Sequence, residues 1–348
     1  MKFIKQVFPV LLSILLISAC TTPLKTKLKE FKNDGAYRIA FYNVENLFDL
    51  EDAPDKADEE FTPTGKKEWT AERYQKKLDD LAKVFQAMGY PPVIGVCEVE
   101  NAKVLEDLIN KTSMKDFGYQ YAHEESPDFR GIDVGLLYMS SLFSVKETSI
   151  TRINFPKEIV EDYTTRDILH VEGTFRGKEK IHFFINHWPS RRGGLEASEP
   201  KRVYVATQLR KETNKIFKED PKANIIITGD FNDEPDNNSL LYTLNAKPTT
   251  ETIKGQELYN CSYTLDQMGK GTYNYKGNWN MLDQFIVSAS LLDGSCSLSA
   301  TDAAIFTEEW LNYNDKKYGP TPSRTYGGPN YYGGISDHYP VYLDLRVR

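Results

Sequence analysis

Apolar and polar positions alternate in short blocks along most of the chain. Brief apolar runs bounded by turn residues predict β-strands, and the wholly apolar run 225–227 predicts a strand that is covered on both faces. The strands are predicted at residues 37–42, 93–98, 117–122, 132–139, 166–176, 179–186, 225–227, 285–287 and 341–345. Because these strands interleave with helical segments without a break, the pattern predicts one α/β domain over residues 37–348.

Two segments have the three- to four-residue apolar spacing of an amphipathic helix. The first is predicted to begin after Thr70 as its N-cap and to stop before Gly89. The second is predicted to begin at Ser198. The segment 305–335, which is rich in Tyr, Gly and Pro, is predicted to be irregular.

The amino terminus has the pattern of an export signal. Two lysines precede an apolar run at residues 8–17 that is too short to span a bilayer, and small residues precede Cys20. This arrangement resembles a bacterial lipoprotein signal, in which the cysteine is lipidated. Residues 1–19 are therefore predicted to be a signal peptide and residues 20–36 a tether, which predicts a lipid-anchored protein of the cell envelope. The alternative is an ordinary secretory signal with an incidental cysteine.

The composition is that of a globular protein, with 40% hydrophobic and 27% charged residues among 348. It excludes a disordered chain, a collagen-like chain and a multi-span membrane protein. The formal charge of −7 excludes nucleic-acid binding by bulk charge, so a polyanionic substrate requires a local basic patch or a metal ion. Cys97 is predicted to be a buried thiol, whereas Cys261 and Cys296 form a disulfide or stay free. We expect a monomer.

Side chains suited to catalysis follow several predicted strands. Asp230 and Asn232 come just after the strand at 225–227, and residues i and i+2 of an extended segment point the same way. A carboxylate that accepts a proton and a carboxamide that positions the same water suit hydrolysis. Other strand ends carry Glu98, His187 and the pair Asp337-His338. Each motif alone also fits a structural turn, but their recurrence at strand ends favours a functional site.

Together these motifs form an ordered set along the chain. It consists of Asn43, Glu98, His187 in Asn-His-Trp-Pro-Ser, Asp230 and Asn232 in Gly-Asp-Phe-Asn, Asp283 in Leu-Asp-Gln-Phe, and Ser336-Asp337-His338. The set resembles the endonuclease/exonuclease/phosphatase superfamily, which includes deoxyribonuclease I. This resemblance implies a four-layer α/β/β/α sandwich, an α+β arrangement with two mostly antiparallel sheets face to face. It also implies Mg²⁺-dependent hydrolysis of a phosphate ester at one edge of the sheets, with Mn²⁺ or Ca²⁺ as alternative ions.

The resemblance assigns roles to the acids and amides of this set. Glu98, Asn43 and Asp337 would hold the metal, because Mg²⁺ prefers oxygen ligands and needs few of them from the protein. Asp230, assisted by Asn232, would orient and deprotonate the attacking water.

The remaining roles fall on histidines and their neighbours. His338, fixed by Asp283, would contact the scissile phosphate, and His187 would contact the phosphate or protonate the leaving oxygen. Which histidine does which stays open. Arg166 would clamp a phosphate oxygen or form a surface ion pair, and Tyr138 would reach the phosphate or serve in packing.

Three further acids lie near this set in the sequence. Asp133 is a candidate for the acid that orients His187. Glu45 and Glu100 are left out of the site, because strand alternation places them on the opposite face from Asn43 and Glu98, or beyond it.

The substrate class depends on basic and aromatic residues. Arg191 and Arg192 follow the His187 motif, and Arg324 precedes Asp337, so these arginines are candidates for binding phosphates. Candidates for base stacking are Trp188, Trp279, Tyr326, Tyr331 and Tyr332. We therefore expect a phosphodiesterase that acts on nucleic acid. The alternatives are a phosphatase or phosphodiesterase on a small or lipid phosphoester, and an inactive binding lipoprotein with the same fold.

Overall fold

The computed structural model describes residues 35–348, so the predicted signal peptide, Cys20 and nearly all of the predicted tether lie outside the described residues. The helices are α1 (Ala71–Ala87), α2 (Ala102–Asn110), α3 (Leu195–Glu219) and α4 (Tyr263–Gln267). Single-turn 3-10 segments are Glu59–Phe61, Ser113–Phe117, Ala289–Leu291 and Glu309–Leu311, and a π turn is Ser239–Thr243.

Strands account for most of the remaining regular structure. In chain order they are β1 (Ala36–Leu47), β2 (Val93–Val99), β3 (Tyr119–His123), β4 (Asp133–Met139), β5 (Phe143–Thr151), β6 (Ile168–Phe175), β7 (Glu179–His187), β8 (Asn224–Asp230), β9 (Ala246–Pro248), β10 (Leu258–Asn260), β11 (Tyr273–Tyr275), β12 (Asn278–Asn280), β13 (Asp283–Ser288), β14 (Leu298–Ala300), β15 (Ala304–Ile305), β16 (Asn312–Asp315), β17 (Gly319–Pro322), β18 (Tyr326–Gly327), β19 (Asn330–Tyr331) and β20 (Val341–Val347).

Two of the sheets contain seven strands each. The first has the order β14, β20, β1, β2, β4, β3, with β15 paired to β20, and the second has the order β5, β6, β7, β8, β13, β10, β9. Most neighbours are antiparallel, but β1 and β2 are parallel, as are β7 and β8, and β9 and β10. The carboxyl ends of the first two parallel pairs carry most of the candidate functional residues.

The core lies between the two large sheets. Phe41 of β1 and Phe183 of β7 belong to one buried apolar cluster that draws on both sheets. On the outer side of the first sheet, Phe85 of α1 packs edge-on against Tyr42, with ring centroids 6.4 Å apart. On the outer side of the second sheet, Leu209 of α3 belongs to a second cluster with residues of β7 and β8. The layers are helix, sheet, sheet, helix, which confirms the predicted four-layer α/β/β/α sandwich.

The start of α1 agrees with its sequence signal, but that of α3 does not. Thr70 accepts a hydrogen bond from the backbone N–H of Arg73 and caps α1 as predicted. The predicted start of α3 at Ser198 is wrong, because the helix begins at Leu195, just after a glycine pair. Gly193 and Gly194 have φ of +93° and +115°, a backbone that glycine adopts without a Cβ penalty.

Smaller features agree with the sequence-based expectation in part. Cys97 is a free and buried thiol, as predicted, and Cys261 and Cys296 are free, which is one of the two alternatives that the sequence left open. The segment 305–335 contains all or part of three short antiparallel pairs, although it was predicted to be irregular. Across residues 35–348, no helix has both the length and the apolar character that crossing a membrane requires.

Candidate active site

Strand register places three candidate catalytic residues side by side. β7 and β8 are parallel and pair His187 with Asp230, whereas β13 is antiparallel to β8 and pairs Asp283 with Asp230. The opposite sheet contributes Asn43, which lies in β1 just before the register shift at residues 44–46, and its amide nitrogen donates to Asp230 Oδ2 at 3.0 Å. Residues far apart in the sequence therefore meet at one edge of the paired sheets.

The backbone around this edge departs from regular strand geometry. Glu45, Asn46, Glu98 and Asn232 have φ of +49°, +53°, +62° and +51°. A non-glycine residue in this region costs about 1–3 kcal/mol, and such residues cluster at functional sites. The ladder of β2 with β4 shifts register across Glu98, and that of β1 with β2 shifts across residues 44–46. These bulges turn side chains away from the alternation of a regular strand.

The bulge in β1 explains why strand alternation excluded Glu45. Its carboxylate lines the same pocket as Glu98 and accepts hydrogen bonds from the backbone N–H groups of Thr325 and Tyr326. Burial and the neighbouring Asp337 raise the pKa of Glu45 to about 8. Glu45 is therefore a functional candidate that the sequence pattern missed.

His338 is held by a carboxylate, as the sequence predicts. Its Nδ1 lies 2.6 Å from Asp283 Oδ2, which also accepts a hydrogen bond from the hydroxyl of Thr272. Burial opposes the charged imidazole, but Asp283 and Asp230 outweigh it and raise the pKa of His338 well above its ordinary value. With Nδ1 fixed, Nε2 remains to face the substrate, 3.9 Å from Asp230 Oδ2.

Asp230 is the buried carboxylate at the centre of the site. Burial raises its pKa to about 6, and the charge of His338 counteracts this effect. Oδ1 accepts from the backbone N–H of Asn232 at 2.9 Å, and Oδ2 accepts from Asn43. Asp230 is thus oriented by two donors and has the affinity for protons that suits a general base near neutral pH.

His187 has the opposite electrostatic character to His338. Burial, together with Arg166 and Arg130, lowers its pKa well below the ordinary value, so its imidazole is neutral. Nε2 lies 3.7 Å from Asp230 Oδ2, and the buried Nδ1 has no hydrogen-bond partner among the described residues. The predicted orienting acid, Asp133, is engaged elsewhere, with His123 and Ser126.

Arg166 supports His187 and does not clamp phosphate as predicted. Its Nε and Nη2 donate to the backbone carbonyl oxygens of His187 and Trp188, and its Nη1 donates to Asp128 at 3.1 Å. The side chain is buried, and all three nitrogens face inward partners. Arg166 therefore positions the end of β7, because the loop that follows this strand wraps over its guanidinium.

One corner of the site is rich in carboxylate oxygens. Glu98 and Asp337 both line the pocket. Burial, and to a smaller extent the charges of Asp337 and Asp230, raise the pKa of Glu98, whereas the charge of Arg130 lowers it. Such a set of oxygens fits a hard divalent cation. Glu98 and Asp337 are the residues that would hold it. Asp230, Asp283 and His338 form a second group within ligand-atom reach of one another.

Asn43 does not fit the predicted role of direct metal ligand. Its Oδ1 accepts the backbone N–H of Glu45 at 3.0 Å, which fixes the orientation of the amide. The amide nitrogen then donates to Glu98 Oε1 at 3.3 Å and to Asp230. Because an N–H group cannot coordinate a cation, Asn43 instead holds the two carboxylates in place.

The arginines near the site fall into two groups. Arg191 is tied to the protein, since it donates to the carbonyl of Asn232 at 2.8 Å and to Asn280 Oδ1 at 2.7 Å. Arg192 is exposed at the pocket wall. The guanidinium of Arg324 lies 3.6 Å from Asp337 Oδ2 and also lines the pocket.

Arg130 is a pocket-lining cation that the sequence interpretation did not single out. It lies in the loop between β3 and β4, next to the Asp128 that binds Arg166, and no motif marks it.

Tyr138 was a wrong prediction. In the antiparallel ladder it pairs with Val93 at the beginning of β2, whereas Asp133 pairs with Val99 at the functional end. The hydroxyl of Tyr138 donates to Gln120 and so lies at the opposite end of the sheet from Asp230. The error follows from taking the wrong end of β4 as the one that faces the site.

A cavity of about 730 Å³ opens above these groups. The predicted residues that line it are Glu98, His187, Arg191, Arg192, Asp230, Asn232, Arg324, Asp337 and His338. Asn43 and Asp283 lie behind this lining and contact it through hydrogen bonds. Of the predicted stacking residues only Tyr326 lines the cavity, because Trp188 is buried against Phe231 and Trp279 stacks on Tyr339.

Solved structures of several proteins resemble this fold. The chain matches D. rerio TDP2 complexed with a single-strand DNA product at 17% identity and a TM-score of 0.54, covering 90% of this chain and 100% of that one. It matches a mannosyl-6-phosphatase of Bacteroides thetaiotaomicron at 16% identity and a TM-score of 0.52, covering 89% of this chain and 99% of that one. It matches the human Nocturnin catalytic domain with bound sulfate at 15% identity and a TM-score of 0.55, covering 90% of this chain and 95% of that one. At these identities the likeness shows the fold alone.

The sequence itself identifies the family. No protein with a curated description matches the chain. The sequence pattern of the Endonuclease/Exonuclease/phosphatase family, in contrast, matches residues 38–347, which includes every motif of the site described above. The chain therefore belongs to the Endonuclease/Exonuclease/phosphatase family of phosphoester hydrolases.

Proposed function

We propose that the protein is a divalent-metal-dependent phosphodiesterase that acts on nucleic acid. The observation that carries the proposal is the combination, on one pocket floor, of Asp230 with its raised pKa and His338 fixed as a cation by Asp283. Hydrolysis of an anionic ester requires a base for the water and positive charge for the phosphoryl oxygens. These residues provide both within about 4 Å, since His338 Nε2 and Asp230 Oδ2 are 3.9 Å apart.

Each residue has a defined task in this scheme. Asp230 accepts the proton of the attacking water while Asn43 and the backbone of Asn232 hold its carboxylate. His338 donates from Nε2 to a phosphoryl oxygen. His187, being neutral, offers a hydrogen bond without repelling the other cations. Glu98 and Asp337 would hold a divalent cation, which would supply further positive charge against the negative charge that develops on the phosphate.

The walls of the cavity favour a polyanionic substrate. Arg130, Arg192 and Arg324 line it, although the protein as a whole has a charge of −7. Such a local patch is what a net-acidic protein needs to bind flanking phosphates. The complex of the similar TDP2 structure with a single-strand DNA product is consistent with this substrate class.

A second candidate is hydrolysis of a small phosphoester. One structure of the same fold is a mannosyl-6-phosphatase, and the catalytic groups here are recessed, with Asp230 2% and His338 6% exposed. An inactive binding protein is less consistent with the site, because Glu98, Asp230, Asp283 and Asp337 are all present.

A substrate panel separates these candidates. Purified residues 21–348 would be assayed with plasmid DNA, single-stranded DNA, RNA, sphingomyelin, small phosphodiesters and sugar phosphates, with Mg²⁺ and with chelator. We expect Mg²⁺-dependent cleavage of nucleic acid and slower cleavage of small diesters. Turnover of monoesters alone would support the phosphatase, and turnover of none would support the binding protein.

We further propose a lipid anchor at Cys20, on the basis of the lipoprotein-like signal. Cys20→Ser is expected to move the protein from the membrane fraction to the soluble fraction, because the thiol is the acylation site. Catalytic activity of the released protein should equal that of the soluble domain. Fractionation with metabolic labelling by a fatty-acid analogue measures both effects, and an unchanged membrane fraction would exclude the anchor.

The two adjacent arginines should differ when each is replaced. Arg192→Ala is expected to weaken polynucleotide turnover and to reduce the slope of its salt dependence by about one, the value for one lost phosphate contact. Turnover of a small diester should be unaffected. Arg191→Ala should slow both substrates, because Arg191 holds the carbonyl of Asn232 and the side chain of Asn280. The measurement is kcat/KM for both substrates over a salt series. Equal losses of kcat/KM for the two variants on both substrates would contradict this difference between Arg191 and Arg192.

A further inference from the structure

A small hairpin stands beside the catalytic histidine. β11 and β12 pair in antiparallel fashion and are joined by Lys276 and Gly277, whose φ values are +53° and +92°. Two successive positive φ values form the tight turn that a twisted two-stranded hairpin requires. The hairpin is connected to the site through an isolated bridge between Tyr273 and His338.

The back of the hairpin is anchored to the protein. Trp279 stacks on Tyr339, with ring centroids 5.7 Å apart and an interplanar angle of 18°. The backbone N–H of Tyr339 donates to the carbonyl of Thr272, and the N–H of Thr272 donates to Asn280. A two-stranded hairpin is marginal alone, so this anchoring is what makes it a defined surface.

The front of the hairpin faces the cavity. Residues two apart in a strand share a face, and accordingly Tyr273 and Tyr275 both line the pocket. The ring of Tyr273 lies 5.0 Å from that of His338 and covers it. Tyr275, one step farther out, is 54% exposed, and the ammonium group of Lys276 lies 5.0 Å from its ring. The exposed ring of Tyr275 thus lines the same pocket as the catalytic histidine, with Tyr273 before it on the same strand face.

We infer that Tyr275 is a specificity-determining residue that stacks on an unpaired nucleobase near the scissile phosphate. This inference rests on the proposed action on nucleic acid and narrows it to single-stranded or frayed substrates. A base inside a duplex has both faces covered by its neighbours, whereas an unpaired base offers a free face to a tyrosine. Tyr275 alone among the pocket's tyrosines is exposed, since Tyr273 is half-buried and Tyr326 is buried among Phe61 and Trp69.

The test compares two oligomers with the same phosphates. One is a short single-stranded oligothymidylate, and the other has a tetrahydrofuran unit in place of every nucleoside. Tyr275→Ala should raise KM for the oligothymidylate about 10- to 100-fold, the range that loss of a stacked base gives, with kcat little changed. The same variant should leave KM for the base-free oligomer and for duplex DNA within about twofold of wild type.

Two control variants make the result specific. Tyr275→Phe keeps the ring and should retain the wild-type KM. Tyr242→Ala removes a tyrosine that is 72% exposed, more than Tyr275, but does not line the cavity, and it should have no effect. If Tyr275→Ala acts equally on both oligomers, or on neither, while wild type cleaves the oligothymidylate, the stacking inference is overturned and the proposed function stands. If wild type cleaves no nucleic acid, the proposed function fails first, and the inference fails with it.

Discussion

Asp230→Asn is expected to lower the rate of phosphodiester hydrolysis by at least about two decades, because a positioned general base contributes about 10²–10⁴-fold. The change keeps the shape of the side chain and removes its capacity to accept a proton from water. Asn43 and the backbone of Asn232 each donate to a different oxygen of this carboxylate, and the amide has only one oxygen, so one of the two donors loses its acceptor. Circular dichroism should show the wild-type fold, with a thermal unfolding midpoint below that of wild type. A Mg²⁺ titration of activity should show no recovery at high metal.

Glu98→Gln provides the matched comparison, since it also replaces a buried strand-end acid by its amide. Glu98 belongs to the oxygen-rich corner with Asp337, so loss of its charge should weaken metal binding. High Mg²⁺ should then restore part of the activity. Calorimetric binding of the metal to both variants, without substrate, gives a readout that does not depend on turnover. If the Asp230 variant instead binds metal weakly and recovers with Mg²⁺, then Asp230 is a ligand and the division of roles is wrong.

The sequence predicted the residues that lie at the ends of regular strands. His187 and Asp230 follow apolar runs and Asp283 precedes one, and the register of β7, β8 and β13 brings them together as one row. The four-layer arrangement was implied by the resemblance to the family, and the alternation of buried strands with amphipathic helices predicted one α/β domain. These features depend on local pattern and on chain order, which a single sequence contains.

Features that depend on irregular backbone were not predictable. Glu45 was excluded by strand alternation, and the bulge of β1 at residues 44–46 reverses that conclusion. Arg166 was assigned to phosphate, but its guanidinium binds backbone carbonyls that no sequence motif reveals. Tyr275 lies in a hairpin of three-residue strands, which are too short to show a period of two.

A buried lysine connects Glu45, in the catalytic corner, to the loop at residues 325–335, which precedes Asp337 in the sequence. Lys77 of α1 is 2% exposed, and its Nζ donates to the carbonyl of Glu45 at 3.0 Å, to Thr325 Oγ1 at 2.7 Å and to the carbonyl of Ile335. The carboxylate of Glu45 in turn accepts the N–H groups of Thr325 and Tyr326. Burial lowers the pKa of Lys77 to about 8, while Glu45 and then Asp337 raise it. This network holds the loop at Thr325, directly after Arg324, and at Ile335, shortly before Asp337.

Lys77→Met is expected to lower the free energy of unfolding by about 3–5 kcal/mol, because it removes the cation beside the buried Glu45 and three hydrogen bonds. Of the three acceptors, the carbonyl of Ile335 keeps a second donor, the hydroxyl of Thr325. Methionine fills a similar volume, so the loss reflects the missing charge and hydrogen bonds more than a cavity. The released loop should also weaken metal binding through Asp337. Urea unfolding gives the first quantity, and calorimetric metal titration of the folded variant gives the second.

Lys76→Met is the control on the same helix. Its ammonium group also reaches the loop, through the carbonyl of Gly333 at 2.8 Å, but its side chain is 49% exposed and its partner Asp80 is accessible to water. Because an exposed ion pair contributes about 0–1 kcal/mol, this variant should unfold within about 1 kcal/mol of wild type and bind metal normally. Equal effects of the two substitutions would mean that the loop is held by its own backbone pairing in β18 and β19. A large loss of stability and of metal binding in Lys77→Met alone would mean that the buried ammonium group of Lys77 holds the catalytic corner in place.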